Sequence, residues 1–114
     1  MESTGKLVRD RIPELIKAGG TEPRTRVAHG EEYPALLRVK LLEEVQEFFD
    51  SGDAGELVDV LEVVYALARE QGLDPQQLEE QRAAKERERG GFTTQVVLIS
   101  ETTESVPQVA EAAH

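Results

Sequence analysis

Four carboxylates stand in a mirrored pattern in the middle of the chain. Glu44 and Glu47 are three residues apart, and so are Glu56 and Asp59, a spacing that places each pair on one face of a helix. Between the pairs lies a turn at Ser51 and Gly52; Glu47 and Glu56 are equally distant from it, and so are Glu44 and Asp59. In an antiparallel helical hairpin the four groups face each other in two layers, an arrangement suited to one or two divalent cations. The chain has no cysteine, and His29 and His114 are too few and too distant for an imidazole-based zinc site. Any metal must therefore be held by oxygen, and hard oxygen ligands select Mg²⁺ or Mn²⁺.

The hairpin itself is legible from periodicity. From 33 to 49, Leu37, Leu41, Val45 and Phe48 recur at helical spacing, and Gly52 ends the run. Asp53 is placed as the N-cap of the next helix, which reaches to about Gln71 and stops at Gly72. Glu44 falls inside the apolar stripe of the first arm, with Glu47 and Lys40 along its flank. The second arm carries two apolar faces, Leu57, Leu61, Val64, Tyr65 and Ala68 on one, Val60, Val63 and Leu67 on the other, as expected of a helix central to a bundle. Glu56 and Asp59 are set against the second of these faces, where unpaired carboxylates are costly and normally find a cation. Local alternatives stand beside this reading: Asp53 and Glu56 fit a capping box, Glu44 can pair with Lys40 one turn earlier, and the whole cluster can be a solvated acidic face. Glu43 and Glu62 lie nearby but off these faces.

Around the hairpin, Pro13 opens a short helix that ends at Gly19-Gly20, and Asp74-Pro75 opens a fourth that Gly90-Gly91 closes. On that last helix Leu78, Arg82, Lys85 and Arg89 share a face. A cationic continuation of a core stripe suits bound phosphates; the plainer alternative is pairing with Glu79, Glu86 and Glu88. Lys6, Arg9 and Arg11 form a second basic group, with salt bridges to Asp10 or Glu14 as its simple explanation. The β-branched stretch 92–99 is a candidate strand, and 25–28 is its candidate partner in a minor hairpin formed with 93–99. The expected fold is therefore all-α, a four-helix, bundle-like domain over 1–101, followed by an acidic, flexible tail over 102–114.

Composition bounds the partners. The 114 residues carry a formal net charge of −10, which argues against nucleic acid or an anionic membrane surface as partner. No apolar run approaches membrane-spanning length and no signal peptide is visible, so the cytoplasm is the expected location. A chain this short, with two apolar faces on one helix and few large apolar residues elsewhere, is expected to dimerise.

Four segments, KLVRDRIPE at 6–14, KLLEEVQEF at 40–48, ELVDVLEV at 56–63 and RAAKERERGGF at 82–92, together resemble the all-α nucleoside triphosphate pyrophosphohydrolases of the MazG-like type, relatives of the phosphoribosyl-ATP pyrophosphohydrolases. The resemblance implies that Glu44, Glu47, Glu56 and Asp59 are metal ligands and that Lys40, Arg82, Lys85 and Arg89 contact substrate phosphates. It also implies a Mg²⁺-dependent house-cleaning enzyme, dimeric or tetrameric, that hydrolyses a nucleoside triphosphate between the α and β phosphates to a monophosphate and pyrophosphate. Glu44 or Glu47 is then the candidate base that orients the attacking water. Phosphoribosyl-ATP as substrate, and a catalytically silent helical nucleotide-binding module, are the alternatives. The base and sugar preferred are not legible in the pattern.

Overall fold

The computed structural model describes residues 5–101; the tail over 102–114 lies outside them. Among the described residues there are four helices, α1 (Ile12–Ala18), α2 (Glu32–Ser51), α3 (Ala54–Glu70) and α4 (Pro75–Arg89), and no strand. The all-α class is thus as expected. They divide into two compact units, 5–80 and 81–101.

The first unit is organised by α2 and α3, which pack against each other. Gly52 reverses the chain between them in the left-handed conformation, φ 67°, and donates its N–H to Phe48 O at 2.7 Å, closing the end of α2. The next residue, Asp53, caps α3, its carboxylate accepting the Gly55 N–H at 3.2 Å. The Asp53 N–H is donated to the Ser51 hydroxyl at 3.0 Å. It is therefore not tied to Glu56, and the reciprocal half of a capping box is missing. α4 shows that box complete: Gln77 N–H donates to Asp74 Oδ1 at 2.8 Å, and Asp74 N–H to Gln77 Oε1 at 2.9 Å.

The core is small. Leu37, Val63 and Ala68 are its buried apolar residues, with Leu41, Phe48, Val60, Val64, Tyr65 and Leu67 half-buried. In place of a closed bundle, the first unit is a two-helix hairpin with the N-terminal segment laid against it; α1, which carries Pro13 in its first turn as expected, buries no residue, and neither does α4.

The minor β-hairpin is overturned. Neither 25–28 nor 93–99 is a strand, and Phe92, Val96, Val97 and Ile99 are all more than three-quarters exposed. Strand propensity measures how well a side chain fits a pleated, half-buried surface, and two isolated short segments without a third strand or a helix to cover them do not supply one. No described helix is long and apolar enough to cross a membrane.

The reversal at Gly52 gives a direct test. Nothing lies within 4 Å of where a Cβ would sit, so Gly52→Ala introduces only the left-handed backbone penalty. A loss of about 1–2 kcal/mol is expected, read as a lowered midpoint in urea denaturation with an unchanged slope.

Candidate metal centre

Glu44 occupies a core position. With Leu37, Leu41 and Phe48 it forms the stripe of α2 that is turned inward, and it is 8% exposed, as buried as Val63. α3 opposes it with Glu56 and Asp59, which precede Val63 and Leu67 on its inward side. One carboxylate oxygen from each of Glu44, Glu56 and Asp59 lies within 4.8 Å of the other two. Acidic side chains from both helices thus interrupt the apolar seam of the hairpin between Phe48 and Leu41.

Of the four carboxylates expected, three meet and the fourth stands beside them. Glu47 is exposed and outside the set of three, but its charge is felt by Glu56. Burial raises the Glu56 pKa above the ordinary glutamate value, and the neighbouring charges of Glu47, Asp59 and Glu44 add to the rise. Two carboxylate oxygens, Glu44 Oε1 and Glu56 Oε1, are buried with no hydrogen-bond partner. Buried acceptors are ordinarily satisfied, and an all-oxygen donor set with open valences suits a hard divalent cation such as Mg²⁺.

The other face of Glu44 is satisfied. Lys40 Nζ is 3.3 Å from Glu44 Oε2 and 3.1 Å from Glu43 Oε1, so the local Lys40–Glu44 pair is present alongside the cluster rather than in place of it. Burial works against the charge on Lys40, but hydrogen bonds to Glu43 and Glu44 outweigh it and hold its pKa above the usual lysine value. Glu43 is held below its ordinary value by hydrogen bonds first from Lys40 and then from Lys6.

Three features were not found from local spacing. Lys6 Nζ reaches Glu43 at 3.2 Å and Arg9 Nη1 reaches Asp59 Oδ1 at 2.8 Å, with Arg9 Nη2 4.0 Å from Glu62. Only Arg11 makes the short-range pair anticipated for this basic group, to Glu14 at 2.8 Å. Between the N-terminal segment and the hairpin lies a cleft of about 660 Å³, which Glu44 and Asp59 line together with Arg9, Lys40, Tyr33 and Arg69. Partners 37 and 50 residues apart leave no periodic trace. Arg82, Lys85 and Arg89 belong to the second unit, are exposed, and include an Arg82–Glu86 pair at 3.0 Å on their own helix.

The raised Glu56 pKa fixes a sign. Below its unfolded-state pKa the group is protonated in both states and costs nothing; as pH rises through the folded-state pKa, ionisation destabilises the metal-free fold. In chelator at neutral pH, Glu56→Gln is therefore expected to melt at a higher temperature than the parent chain. The advantage should shrink as the pH is lowered into the acid range, and thermal melts across pH check both points.

Comparison with known proteins is sparse. Over 42 residues the chain is 57% identical to an uncharacterized protein of Mycolicibacterium smegmatis, a stretch that covers 37% of this chain and 43% of that relative. The chain thus spans less than half the length of the curated relative it matches. No protein-family model matches the chain, and no solved structure does.

Proposed function

We propose that this protein is a Mg²⁺-dependent nucleotide pyrophosphohydrolase, of the MazG-like kind its segments resemble, that cleaves a nucleoside triphosphate to the monophosphate and pyrophosphate. The observation that carries the reading is the pair of buried, unpartnered oxygens on Glu44 and Glu56, gathered with Asp59, where Glu44 and Asp59 line a cleft that also presents cations. A purely structural cluster would be expected to satisfy those oxygens internally.

In this reading Glu44, Glu56 and Asp59 hold the metal, with Glu47 as a further ligand at the exposed edge beside Glu56. When bound, Mg²⁺ supplies charge neutralisation at the phosphates and makes a water more acidic. Glu47 is exposed and next to Glu56, so of the two candidate bases it is better placed to take a proton from water; Glu44, pinned by Lys40, is better placed as a fixed ligand. Lys40 holds Glu44 in orientation through their ion pair. The 660 Å³ cleft is within the range that small-molecule sites occupy, and its apolar lining, including Leu37 and Val63, suits a base or sugar.

Dimerisation belongs to the same proposal. Both arms of the hairpin leave apolar residues exposed, Leu42 and Phe49 at 72% and 76% on α2, and Leu57, Val58 and Leu61 on α3. Scattered apolar surface needs no explanation, but a stripe on each of two packed helices is the kind of surface a second copy covers.

Incubation with a panel of canonical, deoxy and damaged nucleotides in Mg²⁺, followed by detection of pyrophosphate, tests the activity. Release of pyrophosphate with a monophosphate from at least one nucleotide is expected, falling by about a hundredfold or more in Asp59→Ala, which leaves the helical circular dichroism intact. Release of orthophosphate alone, or turnover that survives Asp59→Ala, would refute the reading. For assembly, light scattering at micromolar concentration should give twice the mass of one chain, and Phe49→Glu should shift it toward one.

A further inference from the structure

Asp59 is needed as a ligand in the proposed site, yet it already holds a cation. Arg9 Nη1 donates to its Oδ1 at 2.8 Å, while Arg9 Nη2 lies 4.0 Å from Glu62 Oε1. Arg9 comes from the N-terminal segment, 50 residues earlier in the chain, and lines the same cleft as Glu44, Asp59 and Lys40. Of the three clustered carboxylates its guanidinium bonds to Asp59, while Glu44 Oε1 and Glu56 Oε1 remain without a hydrogen-bond partner. The neighbouring Arg11 is held by Glu14 on its own turn and is not engaged with the cluster.

We propose that Arg9 is a substrate-contacting residue: it is the counter-ion of Asp59 before metal binds, and it turns to the phosphate chain of the substrate once Asp59 has a metal. The inference rests on the metal-dependent reading and names a phosphate contact from outside the helical pattern. Three physical points carry it. As a strut, an ion pair whose side chains are 54% and 40% exposed contributes little to the fold. A divalent ion at Asp59 and a guanidinium on the same carboxylate repel each other, and a polyanion beside them relieves the repulsion of both. The planar fork of arginine matches phosphate oxygens in two-point fashion, and a half-exposed side chain already in the cleft has the freedom to make that turn.

Calorimetric titration of the intact chain with Mn²⁺ alone, then of the Mn²⁺-saturated chain with inorganic tripolyphosphate, tests this on wild type, Arg9→Ala, Arg9→Lys and Arg11→Ala. Arg9→Ala should take up Mn²⁺ at least as tightly as wild type, because a competing cation is gone. It should bind tripolyphosphate about tenfold or more weakly, the loss expected for one charge-assisted contact. Arg9→Lys, which keeps the charge and loses the fork, should fall between, and Arg11→Ala should match wild type. Tripolyphosphate affinity within about twofold of wild type in Arg9→Ala overturns the proposal, as does weakened Mn²⁺ binding, which would make Arg9 a strut for Asp59. Should Arg9→Ala fail to fold, Arg9→Lys decides by the same two readings. Absence of Mn²⁺ uptake by wild type would instead refute the metal reading, and this proposal with it.

Discussion

Burying the Glu44 carboxylate in the seam between α2 and α3 is the constraint around which the first unit is arranged. A leucine at that position would continue the stripe of Leu37, Leu41 and Phe48, and would meet the needs of a two-helix core with no polar accounting. A carboxylate there costs several kcal/mol unless it is paired and hydrogen-bonded. The structure answers half of the demand with Lys40 one turn back on the same helix. The other half, one oxygen on Glu44 and one on Glu56, is left open. So small a core, with Leu37, Val63 and Ala68 as its buried apolar residues, has little stability to set against such a cost, and the arrangement makes physical sense if a cation completes it.

The surrounding charges follow from that constraint. Glu56 is free to join Glu44 because the cap of α3 is closed without it: Ser51 accepts the Asp53 N–H that a capping box would have given to Glu56. The N-terminal segment supplies the long-range cations, Lys6 to Glu43 and Arg9 to Asp59. These contacts tie an irregular stretch to the hairpin, and the Arg9–Asp59 pair lines the cleft between them. A chain with a net charge of −10 thus brings cations from its N-terminal segment to the carboxylates of the hairpin.

What was legible in the sequence was what is local and periodic. Leu37, Leu41 and Phe48 recur at helical spacing, Gly52 and Asp53 are stop and start signals, and Asp74 with Pro75 is another start, so α2, α3 and α4 could be placed to within a residue or two. The mirrored spacing about the turn also brought Glu44, Glu56 and Asp59 together. Glu47, at the edge of the helix face, stands exposed beside that set, close enough for its charge to act on Glu56. The stretch 92–99 misled: β-branched residues favour a strand only where a sheet receives them. The Arg9–Asp59 and Lys6–Glu43 pairs, and the cleft that Arg9 and Asp59 line with Tyr33 and Arg69, depend on how an irregular segment crosses a hairpin, which no local pattern encodes.

The account stands or falls on whether Glu44, Glu56 and Asp59 jointly bind a divalent ion. The most direct measurement is anomalous diffraction from crystals of the full chain soaked in Mn²⁺. The account predicts a strong peak within roughly 2 to 2.6 Å of an oxygen from each of the three residues, with Glu44 Oε1 among them. A peak confined to other surface carboxylates, or none at saturating Mn²⁺, would contradict it and leave the buried oxygens of Glu44 and Glu56 as a structural cost without a function.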